Sequence, residues 1–411
     1  MQLTKNILIA IIIAVSLTAC LAPTTVEVKN DVPQKPDLNA LNIAPTRPDP
    51  SPTPTQVPPT PKPDPIRLNA TVWEEMPQVP ILMYHRFDPG VGASSTRYKT
   101  SLTEFSEHLS SLYEAGFSLV SLEDWLRGEI HIPEGRRPLI ITIDDLFYAD
   151  QISMDETGKP ADYSGVGRLW QFSQDHPDFG FQVAMFYNLG DKPYSNHYAN
   201  GIFTVQDGWR RDRAKAIAWG IENGALPYNH FYEHPFLEYL EPEEILLQLK
   251  ENDAALRDAL AMIGKKHLAA DLTTILALPY ISWPKTEEGK QVLYNYTSPE
   301  GAPTAAIMVS NEVPLARPAQ TPFSINFDPW RMPRIAASQE AIEYILDIAP
   351  GLPDAAKCDL GEFPGEPFPD PGLISDQIVR LVQSGTCPGG YYVVEGLAFF
   401  LQDDQIIQLS P

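Results

Sequence analysis

Short, almost uniformly apolar runs recur along the chain and alternate with segments of helical periodicity. The apolar runs cover residues 79–85, 117–122, 138–145, 182–189, 273–280 and 305–309. Runs of this length without polar alternation are typical of strands that are buried on both faces. Their alternation with helices predicts an α/β fold in which a mainly parallel sheet is covered on both faces or closed into a barrel.

Two of the intervening helices carry clear boundary signals. Ser101 followed by Glu104 is a capping-box pattern in front of apolar residues at helical spacing, and Gly116 predicts the end of that helix. Pro242 predicts the start of a longer helix that ends near Lys265. Chemistry in parallel α/β folds lies at the carboxyl ends of strands, so polar residues there are the candidates for function.

The N-terminus has the pattern of an export signal. Lys5 precedes the apolar run 7–19, which is shorter than the roughly 20 residues that span a bilayer. The run ends in Leu17-Thr18-Ala19-Cys20, which resembles the lipobox of bacterial lipoproteins. We therefore expect a lipoprotein signal peptide over 1–19 and a lipid on Cys20. The alternative is an ordinary signal peptide with an incidental cysteine.

Residues 20–66 are rich in proline and predict a semi-rigid polyproline II linker. At about 3.1 Å per residue, it can hold a domain up to roughly 100 Å from the membrane. We expect the chain to be exported and lipid-anchored to the bacterial membrane, facing the cell envelope or exterior, with the lipid as its only membrane contact. The catalytic domain is expected over 67–350.

Charge and cysteine content narrow the class of protein further. The chain has 53 acidic against 30 basic residues, a net charge of -23, which argues against nucleic acid as a partner. With Cys20 lipidated, an exported chain retains Cys358 and Cys387, which predict a disulfide, although two free thiols are the alternative. Residues 351–411 are expected to form a small β-rich appendage, and the protein is expected to be a monomer.

Residues 229–235 contain two histidines, His230 and His234, that are close enough in sequence to bind one metal ion. Turn-forming residues before them and Pro235 after them favour a loop. Two imidazoles and one carboxylate make a three-ligand site with a position left for water. The predicted cofactor is one divalent metal ion, with zinc the best match and cobalt or nickel compatible.

A pair of carboxylates, Asp144 and Asp145, follows the apolar run directly. Side chains of successive strand residues point in opposite directions, but a turn at the end of the strand can bring both into one cleft. One carboxylate can then bind the metal and the other accept a proton from water, since two carboxylates in one site seldom share a role. The alternative is helix capping after the strand.

The Thr142-Ile143-Asp144-Asp145 stretch, the His230/His234 pair and Leu278-Pro279-Tyr280 together resemble the motifs of the NodB-homology polysaccharide deacetylases. The stretch 79–87 resembles the start of the exported branch that acts on poly-N-acetylglucosamine. The resemblance covers roughly residues 78–335. It implies a distorted (β/α) barrel that removes acetyl groups from an N-acetylated glycan.

The same resemblance implies roles for single residues. Asp144 would be the general base, Asp145, His230 and His234 the metal ligands, and the backbone N–H of Tyr280 an oxyanion donor.

The chain departs from the family pattern at several positions: Leu146 and Ile281 replace glycine, Phe231 replaces Ser or Thr, and Ala277 replaces the arginine that braces the base. We expect Arg334 to supply the missing guanidinium. Because no histidine follows the third motif, we expect His85, which ends the first barrel strand, to be the acid. The segment 148–180 is predicted to be an insertion that covers one lip of the site.

Two other functions fit parts of this pattern. Residues 230–234 also spell H-x-x-E-H, a zinc-peptidase motif in which Glu233 would be the base, but that motif requires a helix. The third candidate is a catalytically impaired surface lipoprotein that still binds glycan.

Overall fold

The computed structural model describes residues 64–96, 98–146, 148–190, 193–199, 202–311, 315–365, 367–402 and 405–409. The predicted signal peptide, Cys20 and nearly all of the predicted linker lie outside these residues. Among the helices that the described residues form, none has the length and apolar character needed to cross a membrane.

The strands follow the predicted apolar runs closely and add several short pairs between them. The strands are β1 (Ile66–Trp73), β2 (Gln78–Val79), β3 (Ile81–Tyr84), β4 (Arg86–Asp88), β5 (Lys99–Ser101), β6 (Phe117–Leu119), β7 (Arg137–Leu146), β8 (Val183–Tyr187), β9 (Ser195–Ala199), β10 (Ile202–Val205), β11 (Ala225–Asn229), β12 (Thr274–Ala277), β13 (Thr304–Asn311), β14 (Ala319–Gln320), β15 (Met332–Ala336), β16 (Ala356–Phe363), β17 (Tyr391–Val394), β18 (Leu397–Gln402) and β19 (Gln405–Gln408).

Most of the helices begin at a residue whose side chain caps them. They are α1 (Leu102–Glu114), α2 (Leu122–Arg127), α3 (Gly165–Asp175), α4 (Trp209–Asn223), α5 (Pro242–Met262), α6 (Glu287–Asn295), α7 (Gln339–Ile348) and α8 (Pro371–Gln383). The Ser101 hydroxyl accepts the N–H of Glu104 at the start of α1. Glu241 and Glu244 form a capping box around Pro242 at the start of α5.

Seven parallel strands close into a barrel in the order β3, β7, β8, β11, β12, β13 and β15, and β15 pairs with β3 to complete the ring. β6 pairs with the first residues of β7, from Arg137 to Leu139. The barrel has one strand fewer than the regular (β/α) barrel, so the predicted distorted (β/α) barrel is confirmed.

Burial on both faces explains why the barrel strands are apolar throughout. On β8, Val183, Met185 and Tyr187 lie in a core cluster shared with the surrounding helices, whereas Ala184 and Phe186 lie in a second cluster with residues of the other barrel strands. This is the two-residue period of a strand with one face toward the helices and the other toward the barrel interior.

The appendage is a five-stranded antiparallel sheet in the order β16, β1, β17, β18 and β19, accompanied by α8. Its second strand, β1, precedes the barrel in sequence, so the sheet is built from both ends of the chain. The predicted division, with a catalytic domain from residue 67 and an appendage from 351, has to be corrected here. On this sheet the side chain of Arg67 on β1 donates to the carboxylate of Asp359 on β16, 292 positions later in the chain, and no local sequence pattern predicts that these two strands pair.

Cys358 on β16 and Cys387, which follows α8, form a disulfide with their Cα atoms 5.7 Å apart. Both cysteines are buried in the small core between α8 and the sheet. The bond closes a loop of 29 positions, for which a stabilisation of about 2–4 kcal/mol is typical.

Candidate active site

The barrel strands open at their carboxyl ends into a cleft of about 890 Å³. All the residues that the sequence nominated for a deacetylase site line this cleft: His85, Asp144, Asp145, His230, His234, Tyr280 and Arg334. The structure therefore brings together residues from five different barrel strands or the loops that follow them.

A bulge in β7 explains how two adjacent carboxylates reach one cleft. Ile143 pairs with Met185 and Leu146 with Tyr187, so three steps along β7 match two along β8. Asp145 has a left-handed backbone, with φ at 64°. In a regular strand its side chain would point away from that of Asp144; the bulge turns both toward the barrel opening.

The three predicted metal ligands form one compact group. The Oδ1 atom of Asp145 lies 3.1 Å from Nε2 of His234 and 3.7 Å from Nε2 of His230. The ligand atoms of the three residues all lie within 4.8 Å of one another. Two imidazoles and one carboxylate at these separations are a donor set suited to a divalent ion.

Neighbouring groups orient these ligands. The Nδ1 atom of His230 lies 2.8 Å from the carbonyl oxygen of Ala277, which fixes the proton on Nδ1 and leaves the Nε2 lone pair directed toward Asp145. Asn188 donates from Nδ2 to Oδ1 of Asp145 over 3.2 Å. Both contacts hold the ligand side chains in place, and the first also selects the tautomer of His230 that metal binding requires.

Asp144 is held differently from Asp145. It is buried, and its two carboxylate oxygens accept bonds of 2.5 and 2.8 Å from the two terminal nitrogens of Arg334. Its Oδ2 also lies 3.9 Å from Nε2 of His230. The expected guanidinium brace therefore comes from β15, and it lies at the carboxylate that the sequence nominated as the base.

The same contacts set the protonation of Asp144. Burial raises the pKa of this carboxyl, but the positive charge of Arg334 and the proximity of His230 outweigh it, and the net pKa is below the ordinary value. Asp144 is therefore ionised at neutral pH.

Left-handed backbone conformations are concentrated at this site. Of the described non-glycine residues with positive φ, five belong to the site and its loops, namely Asp145, Phe231, His234, Tyr280 and Ile281. Such conformations are costly and persist where surrounding contacts impose them, most often at functional sites.

Phe231, which stands where the resembled family has Ser or Thr, is fully buried and anchors the histidine loop in a core cluster.

Polar side chains of α5 support the site, and the sequence analysis did not identify them. Buried Asn252 donates to the carbonyl of Tyr187 and to Oδ1 of Asn229, and accepts the N–H of Leu189. Gln248 accepts the N–H of Glu233 and donates to its carboxylate. These bonds tie the ends of β8 and β11, and the loop between the two histidines, to one helix. Polar residues within the apolar face of α5 were the available signal.

A second support comes from the predicted insertion. Gln151 donates from Nε2 to the carbonyls of His85 and Asp144, both over 2.7 Å. Tyr148 lines the cleft and lies beneath the guanidinium of Arg86, which also pairs with buried Asp150 at 2.8 Å. The start of the insertion thus forms one lip of the cleft and fixes the backbone of two site residues.

His85 lies on the cleft wall directly after β3, and its ring packs edge-on against Tyr98. Burial lowers the pKa of this imidazole, an effect that the nearby carboxylates of Asp144 and Asp145 oppose. His85 is therefore mainly neutral near pH 7, so an acid role requires it to take up a proton when substrate binds.

The motif H-x-x-E-H does not form the helix that a zinc peptidase requires. Residues 230–234 form a loop in which Phe231 and His234 have positive φ. The carboxylate of Glu233 is bonded to Gln248 and does not line the cleft, so the peptidase hypothesis is wrong. The helix-breaking residues around the motif had already favoured a loop.

No protein-family model and no curated protein matches the chain. Solved structures that it resembles include IcaB from Ammonifex degensii, with 16% identity over 67% of this chain and 99% of that chain and a TM-score of 0.41. A second is the deacetylase PplD of Streptococcus pyogenes in complex with acetate, with 15% identity over 66% of this chain and 98% of that chain and a TM-score of 0.42. A third is BC0361, a polysaccharide deacetylase of Bacillus cereus, with 14% identity over 67% of this chain and 69% of that chain and a TM-score of 0.42. At these identities, the chemistry of this cleft has to follow from its own residues.

Proposed function

We propose that this protein is a metal-dependent hydrolase that removes N-acetyl groups from a polysaccharide, either an N-acetylglucosamine polymer or a peptidoglycan-type glycan. The observation that carries the proposal is a buried carboxylate, Asp144, braced by Arg334 next to the ligand set Asp145, His230 and His234. Asp144, Asp145, His230 and His234 stand in the order of the motifs in which the chain resembles the NodB-homology deacetylases.

The donor set fits a borderline-soft divalent ion. Zinc is the best match for two imidazoles and one carboxylate, and cobalt or nickel accept the same donors. When bound, such an ion polarises a carbonyl and lowers the pKa of water. The fixed Nδ1 proton of His230 and the bond from Asn188 to Asp145 present the ligands ready for binding.

We assign the proton transfers and the stabilisation of the oxyanion to residues of this chain. Asp144 accepts a proton from the water that attacks the acetyl carbon, and Arg334 keeps its carboxylate oriented. We assign the stabilisation of the developing oxyanion to the backbone N–H of Tyr280, a residue that lines the cleft in the strained turn after β12. Cleavage of the C–N bond then releases acetate and a free amine, which requires a proton on nitrogen.

We assign that proton transfer to His85. Apart from the two metal ligands, it is the only imidazole among the described residues that line the cleft. Replacement of His85 by alanine is expected to preserve metal content and fold but to lower kcat on N-acetylglucosamine oligomers by about 10²-fold or more. Hydrolysis of an activated acetate ester should fall far less, because its leaving group needs little protonation.

Steady-state kinetics on both substrates measure this difference. An equal loss on oligomer and ester would indicate structural damage, and undiminished turnover of both would remove His85 from the mechanism.

The proposed activity is tested by acetate release from a panel of N-acetylated glycans. We expect release from at least one polymer, loss of release after treatment with a chelator, and recovery on addition of zinc. Binding of a glycan without any acetate release, with one equivalent of metal present, would instead support the glycan-binding lipoprotein that has lost catalysis.

We also propose that the enzyme acts at the cell surface, tethered through lipidated Cys20 and the proline-rich linker. The support is the lipobox-like Leu17-Thr18-Ala19-Cys20 and the composition of residues 20–66. A Cys20→Ser variant should leave the membrane fraction and remain folded and soluble. Persistence of that variant in carbonate-washed membranes would contradict the proposed anchor.

A further inference from the structure

Three exposed aromatic rings extend outward from the metal ligands, and the proposed reaction does not use their side chains. The ring centroid of Tyr280 lies 4.4 Å from that of His234, and the ring of Phe236 stacks on Tyr280 at 3.9 Å and 9°. Tyr239 continues the series, 6.1 Å from Phe236. We call Phe236, Tyr239 and Tyr280 the aromatic rim.

The rim is unusual because its rings are exposed and contiguous. Tyr280 is 57%, Phe236 46% and Tyr239 69% exposed. Single exposed apolar residues are common on proteins, whereas a contiguous group beside a cleft marks a binding surface.

The backbone around the rim is held in place. Leu237, between two of the rings, is fully buried in a core cluster, and Glu238 donates its N–H to Ser282 over 3.0 Å. That bond joins the turn that carries Tyr239 to the turn that carries Tyr280. A fixed aromatic surface binds a ligand at a small entropic cost.

The charges beside the rim are paired with each other. Lys285 places Nζ 4.7 Å from the ring centroid of Tyr239 and 3.5 Å from the carboxylate of Glu238. The pair presents little net charge, which favours a neutral ligand over an anionic one. A pyranose ring is such a ligand, with C–H groups on a flat face and hydroxyls at its edge.

We infer that the aromatic rim is a subsite for further sugar rings of the same glycan. Tyr239, at the outer end of the rim, would contact a ring beyond the immediate neighbour of the sugar whose acetamide enters the cleft. This inference rests on the proposed function and adds a preference for chain length. The rim begins at the metal ligands and extends outward, so only a chain that projects beyond the cleft reaches Tyr239. Longer oligomers should therefore be bound more tightly than a dimer.

The test compares Tyr239→Ala with Phe368→Ala, which removes an aromatic ring of similar exposure (45%) in the C-terminal region. Tyr239 is chosen because its ring contacts Phe236 and not the catalytic turn. The measured quantity is the ratio of kcat/KM for the N-acetylglucosamine hexamer to that for the dimer. We expect Tyr239→Ala to lower this ratio about 5- to 10-fold, the usual scale of one aromatic contact, and Phe368→Ala to leave it at the wild-type value.

An unchanged ratio in Tyr239→Ala, with acetate release intact, would overturn the subsite and leave the proposed function standing. If no glycan releases acetate, the proposed function fails, and titration of the hexamer decides the subsite separately. Weaker hexamer binding by Tyr239→Ala would then support it, and equal or absent binding would overturn it. A loss of binding to phosphatidylcholine vesicles with unchanged hexamer affinity would assign the rim to a lipid surface instead.

Discussion

Replacing Asp144 with asparagine is expected to lower kcat/KM for acetate release by about 10²- to 10⁴-fold while the protein retains its metal. The amide keeps the size of the side chain but cannot accept the proton from water. The metal should stay because Asp145, and not Asp144, lies between the two histidine nitrogens. Kinetics and elemental analysis on the same preparation measure both effects.

This variant also loses half of a buried ion pair. Arg334 would face a neutral amide, and breaking such a pair costs up to about 3–5 kcal/mol of stability. Thermal unfolding therefore has to accompany the kinetics, which should be run well below the transition. Asp145→Asn is the matched control, expected to weaken metal binding. If Asp144→Asn lost the metal and Asp145→Asn kept it, the two roles would have to be exchanged.

Replacing His230 with alanine is expected to reduce bound metal from close to one equivalent to almost none. The imidazole supplies one of the three candidate ligands found among the described residues, and its tautomer is fixed for binding by the bond to Ala277. Acetate release should fall with the metal. Elemental analysis after dialysis against metal-free buffer measures the loss.

His108→Ala is the control for removal of a buried imidazole. His108 lies on α1, where its Nδ1 contacts the hydroxyl of Tyr84, and it does not line the cleft. This variant should keep one equivalent of metal even if its stability falls. Full metal content in a His230→Ala/His234→Ala double variant would refute the site and the deacetylase proposal with it.

The barrel strands and the candidate metal-binding histidines can each be recognised from a short stretch of sequence. A strand buried on both faces has to be apolar at every position, so the runs that became β7 and β8 could be recognised without any partner. The pair His230 and His234 lies in one loop, and turn residues beside it exclude a helix. Helix boundaries such as Ser101 and Pro242 depend on hydrogen bonds within a few residues.

The division of roles between Asp144 and Asp145 was only a hypothesis at the level of sequence. The two residues are chemically identical, and nothing local distinguishes them. The bulge in β7 and its register with β8 turn Asp145 toward the histidines, while Arg334, 190 residues away, holds Asp144. Arg334 was nominated because an expected arginine was missing, not because its own neighbours identified it.

Only the tertiary structure shows which residues support the site and which strands make up the C-terminal sheet. Asn252 serves the site because α5 packs across the ends of β8 and β11, and Gln151 because its loop folds back over His85. β1 joins the C-terminal sheet through residue pairs such as Asn69 with Asp359. Local patterns specify what a segment can become, because they depend on neighbours in sequence. Which distant segments meet depends on how the whole core packs.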